Sequence, residues 1–527
     1  MSNSPNVLTC DVAVIGGSLG GVSAALTAAK AGMKVILTEE THWIGGQVTS
    51  QGVAPLDENP LIEVSPPSES YRTFRENIRK FYQETYNAPQ TMPDGKSLNP
   101  GNGWVSNLCF EPTVGLQVLE EMLQSYVDAG NLTIYRNTVP VAAEGGPSHI
   151  ESVTCQQVEQ QIEIQAAYFL DATDTGELLP LCGLPYTTGA EAQEDTGETD
   201  ASKDGAHPER IQSFTYCFFV EFCPGEDHTI EKPQGYEEFR DQQPYSLTLY
   251  NREGEAIHYN MFEATEERPR PFWTYRRVFD AALIPCEEKP NDIALINWHG
   301  NDYHWANPID QSHQEQERIL DEARRLALGF LYWLQTEVKR DDGKGFGYPE
   351  LKLRYDQVGN DSGVAMTPYW RESRRIHGLY RIVAEDILRE ANPGKDQATF
   401  TDSVGIGWYA MDLHPAVGDD TSMYAPTLPF QIPLGAMIPR DCDNYIAANK
   451  NINTTHLSNG AYRLQPVEWA IGEAAGALAT FCRQIKENPS SVRGNKDLLD
   501  QFKEKLHQGG VRTKYSQEVL DLMNAQR

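Results

Sequence analysis

The chain has 527 residues, 40% of them hydrophobic and 10% aromatic, enough for two or three packed domains or one interleaved assembly. Its net charge of −31 disfavours nucleic acid and anionic membrane as partners, and no apolar run reaches the roughly 18 residues that span a bilayer. The nine cysteines form no C-x-x-C pair and the twelve histidines show no metal-ligand spacing, so disulfide-reductase chemistry is excluded and no metal site is read.

The opening MSNSPNVLTCDVAVIGG lacks a charged segment followed by an apolar core, so no leader peptide and a cytoplasmic location are expected. Residues 12–15 read as a buried parallel strand, Gly16, Gly17, Gly20 and Gly21 as a tight turn, and 22–31 as an Ala-rich helix. A second buried strand at 35–37 stops at Glu39. Strand, Gly turn and helix set backbone N–H groups where a pyrophosphate can sit, and an acid about 20 residues on can hold a ribose. The order reads as a dinucleotide site. Ser18 replaces the middle glycine of G-x-G-x-x-G; it is small, and its hydroxyl can donate to a phosphate oxygen.

Next comes a second Gly-rich turn, THWIGGQVTSQGVAP (41–55). Helical spacing covers 71–86 and 113–129. Residues 132–144 read as a strand pair, and 162–183 as a hairpin strand leading into a buried strand that ends at Asp171. The acidic stretch 191–205 reads as an exposed loop. Alternating aromatic strands are expected at 213–222 and 292–305, with a long packed helix at 314–339. Residues 444–485 read as a strand, a polar turn and a helix studded with Gly and Ala, and the charged tail beyond 487 as surface helices.

Taken in order, GGSLGG with Glu39, IGGQVTSQG, LDATDTGELLPLCG, PYWRESRRIHG, DSVGIGWYAMDLHP and NTTHLSNGAYRLQP…GEAAG resemble the FAD-dependent oxidoreductase family related to fumarate reductase and glutathione-reductase-type flavoproteins. The resemblance implies an α/β fold. A Rossmann-like, glutathione-reductase-type FAD-binding domain is assembled from 1–60, 105–190 and 430–485. An inserted mixed α+β substrate domain occupies 190–430, and a helical tail 486–527. By position, Gly16, Ser18 and Gly21 face the pyrophosphate and Glu39 the adenosine ribose. Gly45, Gly46 and Gln47, with Thr49 or Ser50, follow the pyrophosphate and ribityl chain, and Val139 meets the adenine through its backbone. Asp171, Ala172 and Thr173 match a turn beside the cofactor. Asp174 stands where relatives carry glycine, and Ala448, Asn449 and Lys450 where they read Ala-Gly-Arg. Gly460, Arg463, Gln465 and Pro466 precede a helix with Gly472, Ala475 and Gly476, whose N-terminus is expected to face the flavin N1–C2=O edge.

His456, in a polar turn seven residues before Arg463, is expected to be a base or substrate partner. RESRR supplies Arg371, Arg374 and Arg375. On a helix, Arg371 shares a face with one of the others and could clamp a carboxylate or stabilise reduced flavin. His414, in MDLHP, is a second acid/base candidate. The expected activity is FAD-dependent removal of hydride from a small polar molecule: a hydroxy, amino or unsaturated acid, or a sugar-like compound. The alternatives are a C=C reductase fed by an external donor and a flavin-binding protein without turnover.

Overall fold

The computed structural model describes residues 6–250, 255–266 and 269–525. Part of the segment behind the leader-peptide expectation, residues 1–5, lies outside them.

Strand β1 (Asn6–Ile15) ends in the Gly turn, and α1 (Leu19–Lys30) follows. Ser18 caps α1, its Oγ accepting the Gly21 N–H at 3.1 Å, which satisfies one of the helix's open donors. The hydroxyl hydrogen of Ser18 stays free to donate. β2 (Val35–Thr38), the helices α2 (Glu69–Tyr86) and α3 (Pro112–Asp128), and β3 (Leu132–Tyr135) come next. The hairpin β4 (Thr138–Gly146) and β5 (His149–Gln157) leads into β6 (Gln160–Asp171).

A second sheet uses the middle of the chain. β7 (Phe218–Phe222), β8 (Arg277–Phe279), β9 (Ile293–Ile296) and β10 (Leu351–Leu353) pair antiparallel in the order β8-β9-β7-β10. The expected strand at 292–305 is broken here: β9 stops at Ile296 and a 3-10 turn at His299–Asn301 intervenes, because the Asn301 side chain ties back to the backbone at Trp298 and Ile296. Helix α4 (His313–Thr336) buries Ile319, Ala323, Leu326, Phe330 and Leu334, the spacing of one helical face. Alternation along β7 separates two cores. Phe218 and Val220 pack toward α4, while Phe219 joins the core of the first sheet.

The chain then returns. β11 (Tyr445–Ala447) adds parallel to β6, completing a parallel run β3-β2-β1-β6-β11, with β5 and β4 on the other half of β6's outer edge. Helix α5 (His456–Tyr462) and the long α6 (Gln465–Ile485) follow. α6 lies against α1 so closely that a Cβ on Gly472 would stand 1.9 Å from Gly20 O, and one on Gly476 2.3 Å from Ala24 O. This corrects the expectation that Gly472 and Ala475 face the cofactor: glycine there permits backbone-to-backbone packing, and Ala475 is buried in the main core. Three short helices (Pro489–Gly494, Lys496–Gln508, Gln517–Ala525) close the chain. No helix among the described residues is long and apolar enough to cross a membrane.

Candidate functional site

The C-terminal ends of β1, β2 and β6 open onto a cleft of about 250 Å³ lined by Gly16, Gly17, Ser18, Glu39, Ala172 and Thr173, with Gln316, Leu320 and Arg324 of α4 contributing to its wall. A crevice at strand carboxyl ends is where open α/β sheets bind ligands. Gly16 sits at φ 102°, and a Cβ there would stand 2.4 Å from the Ala172–Thr173 peptide. Glu39 accepts the Gly17 N–H (3.1 Å) and both the N–H and hydroxyl of Thr41 (2.8 and 2.7 Å). Burial raises its pKa to about 7 and Asp174 adds to this, although the N–H and O–H donors oppose the shift. Val139 is flanked by two lining residues, Thr138 and Pro140.

The second Gly turn docks on the first. Gly45 N–H donates to Gly17 O (2.7 Å), and a Cβ on Gly46 would stand 3.0 Å from Ser18 Cα. Thr49 ties the loop internally through Ile44 O (2.7 Å). Gln47 Nε2 donates to Arg463 O (3.0 Å) and to Glu468, whose other oxygen accepts Gly20 N–H at 2.9 Å. Gln465 bridges Asp57 N–H and Val53 O, and Pro466 stands in the first turn of α6.

The two departures from the family pattern answer one another. Lys450 Nζ lies 2.7 Å from Asp174, and Asn449 Nδ2 reaches the carbonyls of Ala172 and Thr173 at 3.3 Å. The carboxylate at 174, where the resemblance implies glycine, is thus paired by the cation at 450.

Several buried polar atoms have no hydrogen-bond partner among the described residues: both amide atoms of Gln51, Gln47 Oε1, the Nε atoms of Arg276 and Arg463, and Thr367 Oγ1, whose residue lines the cleft. Buried polar groups left open cost stability unless a ligand or water completes them. A long, polar, partly planar cofactor would do so, and the residues fit FAD: Glu39 would hold the ribose and the Gly turn with the helix start the pyrophosphate.

Next to it lies a chain of charges, with Arg371, Asp302 and Arg463 buried and His414 and Asp412 half-buried. Arg371 donates to Ser213 O and Thr215 Oγ1 (2.8 Å each) and to Asp302 Oδ1 (3.0 Å). Asp302 Oδ2 meets His414 Nδ1 at 2.7 Å, and His414 Nε2 lies 3.6 Å from Asp412. Arg463 reaches Asp412 (3.3 Å) and Tyr369 Oη (2.7 Å). Burial pushes Asp412 up, but His414 and Arg463 outweigh it and hold the carboxyl below its ordinary value. Burial and neighbouring His414 lower His299 to about 4. His299, Asp302 and His414 have ligand-type atoms within metal-binding reach of one another, yet Arg371 already answers the charge of Asp302.

Arg371–Arg375 is not helical. Arg375 and Ile376 form a short strand with Tyr186 and Thr187, so the expected shared helix face does not exist. Each arginine is instead fixed by its own partners. Arg374 binds Asp310 (2.8 Å) and Thr175 O (2.8 Å), while Arg375 binds Glu372, Glu191 (2.9 Å) and Gly189 O (2.7 Å). Nor is 191–205 wholly an exposed loop, since Glu191 and Glu198 are buried. His456 begins α5 rather than lying in a turn: its N–H donates to Glu191 Oε2 (2.8 Å), and its Nδ1 lies 2.7 Å from Glu372 Oε2. Burial lowers the His456 pKa, but Glu372 more than reverses this and raises it. His456 and His414 line one cavity of about 270 Å³.

Sequence reasoning gave no site role to Glu372, Asp412, Gln51 or Glu468, although the first three lie within quoted motifs and an acid within RESRR or MDLHP was a usable signal. Asp302 and Arg276 carry no local pattern at all; only folding brings them in.

A dinucleotide-binding oxidoreductase is the class this cleft defines. The family model described as "FAD dependent oxidoreductase" matches residues 11–506. The chain belongs to that family, and it is an FAD-dependent enzyme. No curated protein matches it. Among solved structures, it is similar to the quinol fumarate reductase FrdA of E. coli at 12% identity, over 95% of this chain and 74% of that one, with a TM-score of 0.34. A geranylgeranyl bacteriochlorophyll reductase-like protein of Thermoplasma acidophilum matches at 10% identity over 98% and 91%, TM-score 0.32. L-proline dehydrogenase of P. horikoshii matches at 18% over 37% of this chain, which spans only 27% of that protein, TM-score 0.19.

Proposed function

We propose that the enzyme oxidises a small polar organic molecule, with His456 taking the substrate's O–H or N–H proton as a C–H hydrogen departs with its electron pair. The observation that carries this reading is the setting of His456. One ring nitrogen is fixed by Glu372, and the other has no partner among the described residues on a side chain that lines the cavity. A histidine oriented by a carboxylate can accept a proton at its far nitrogen, since the carboxylate fixes the tautomer and stabilises the imidazolium. FAD, when bound, supplies the hydride acceptor.

The remaining residues position and screen. Glu372 is itself held by Arg375 and the Gln212 N–H (3.0 Å), so the imidazole cannot swing freely. Asn459 Nδ2, one turn along α5, donates to Arg371 O (2.8 Å) and links the histidine helix to the Arg371–Asp302–His414 chain. In this reading 190–430 is the substrate-bearing insertion, and the segments on either side hold the cofactor.

The test is His456→Gln in FAD-loaded protein mixed anaerobically with substrate. Loss of about 10²-fold or more in the rate of flavin bleaching, with FAD content retained, supports the assignment. An unchanged rate removes His456 from the mechanism.

A further inference from the structure

The turn that follows β7 gathers three metal-ligating side chains that hydride transfer does not use. It runs Cys223-Pro224-Gly225-Glu226-Asp227-His228. Pro224 and Gly225, the latter at φ 82°, fit the central positions of a type II turn, which the Glu226 N–H closes by donating to Cys223 O at 3.2 Å. Glu226 is thereby folded back toward Cys223. The backbone then brings in His228, whose N–H donates to Pro349 O (2.8 Å), while the Cys223 N–H donates to the next carbonyl, Glu350 O (2.9 Å). One segment holds both ends of the turn. Buried Gln335 adds a third tie, donating from Nε2 to His228 O (2.7 Å).

The outcome is a thiol, a carboxylate and an imidazole whose ligand atoms lie within 4.8 Å of one another. His228 Nε2 stands 2.6 Å from Glu226 Oε2. Alone, that pair would be an ordinary surface contact of little energetic weight. The thiol is what sets it apart. Cys223 is 4% exposed, yet it packs in neither of the two large apolar cores; its sulfur accepts from Asn291 Nδ2 at 3.8 Å instead. Asn291 is oriented in turn by Glu221 Oε1 (2.9 Å), the kind of outer support that fixes a metal ligand. Cys223 and Glu226 line a cleft of about 540 Å³ whose wall also carries Glu221, Glu288 and Asp356 against Lys352 and Arg354. Arg354 is already paired with Glu221 (3.1 Å) and Asp356 (2.7 Å). Acids outnumber bases, so the cleft favours a cation.

We infer that Cys223, Glu226 and His228 form a binding site for a divalent cation of the zinc type. One thiolate, one imidazole and one carboxylate suit a borderline-soft ion, whereas magnesium and calcium call for oxygen donors alone. Ligand atoms around a tetrahedral ion with bonds of roughly 2.0–2.3 Å stand roughly 3.3–3.8 Å apart, so rotation of the exposed Glu226 and half-buried His228 side chains completes the set. The His228–Glu226 hydrogen bond gives way to two bonds to the ion. Cys223 binds as the thiolate, and its proton passes to solvent. Three protein ligands leave a fourth position for water on the cleft side. Only one histidine contributes, which is why the histidine spacing of the chain carries no sign of the site.

The experiment titrates Co²⁺ into FAD-loaded protein that a chelator has freed of metal, and records the difference spectrum against the cobalt-free sample. A thiolate-to-cobalt charge-transfer band that saturates at one equivalent, and that one equivalent of Zn²⁺ erases, is the expected result. Absence of the band overturns the inference. So does a band that persists in Cys223→Ser, since another of the nine cysteines is then the ligand. The group His299, Asp302 and His414 has no sulfur and gives no such band. His228→Ala and Glu226→Ala, both away from the apolar cores, carry the test if the cysteine variant does not fold. Each should weaken Zn²⁺ binding about 10²-fold or more, because loss of outer support alone costs about 10–100-fold. Wild-type affinity in either variant overturns the assignment. Zn²⁺ should also raise the unfolding midpoint of the wild type and leave that of His228→Ala in place; equal shifts would put the ion elsewhere.

Discussion

Replacing Glu39 by Gln separates the cost of burying a carboxylate from its value to the cofactor. Burial lifts this group from 4.5 to about 7, which corresponds to about 3 kcal/mol at the order-of-magnitude level. The sign follows from proton counting. Between pH 4.5 and 7 the folded cofactor-free protein keeps a proton that the unfolded chain has released, so stability falls as pH rises through that window and is flat above it. Glu39→Gln removes the titration. It also forfeits an acceptor for Gly17 or Thr41, but that loss is independent of pH. The variant should therefore gain on the wild type by up to about 3 kcal/mol from pH 4.5 to 7, read as a widening difference in denaturant midpoint of the cofactor-free proteins. FAD uptake by the wild type should release protons in the same window, because ribose hydroxyls favour the ionised acceptor; the variant should release fewer and bind FAD more weakly. A stability difference that does not change with pH would refute the argument.

Lys450→Met leaves the half-buried Asp174 of the cleft wall without its cation and should cost about 1–3 kcal/mol, most of it recovered by adding Asp174→Asn; additive losses in a double-mutant cycle would contradict the pairing. Gly472→Val drives a side chain into Gly20 O and should lower the unfolding midpoint and the FAD content together; normal content would mean that α6 can shift without disturbing the Gly turn. Arg324 lines the cofactor cleft, stacks on Tyr216 at 4.9 Å, and forms no ion pair among the described residues. Arg324→Ala should weaken FAD binding about 10-fold, or about 1.4 kcal/mol, in a titration of apoprotein, while riboflavin, which has no pyrophosphate, binds unchanged.

The parts of this molecule that were legible in its sequence are those written locally. A β-branched run, four glycines and an Ala-rich stretch specify β1, the turn and α1 within 30 residues, and helical spacing placed α2, α3 and α4 to within three residues at either end. The misreadings share one cause. RESRR has the charge spacing of a solvated helix, but its conformation is set by Asp302, Asp310 and Glu191, which lie 69, 64 and 184 residues away. Glu191 and Glu198 read as part of an exposed acidic loop for the same reason: His456 and Thr455, which accept their burial, are 265 and 257 residues distant. Asp174 looked like damage to a motif until Lys450, 276 residues on, supplied its counter-charge.

The bond from Gly20 to Glu468 spans 448 residues, and that from Ser23 to Trp469 spans 446. Such a closure is made late, since joining distant segments carries a loop entropy that only the finished contact offsets. A ribosome emitting this polypeptide exposes the first glycine turn long before its lid exists. The nascent N-terminal unit would have to wait, with the apolar face of α1 uncovered, until the 448 residues that separate Gly20 from Glu468 have been made. Any truncation before α6 should therefore yield not a weaker flavoprotein but an aggregation-prone fragment, and vitamin supply should matter most once α6 has emerged.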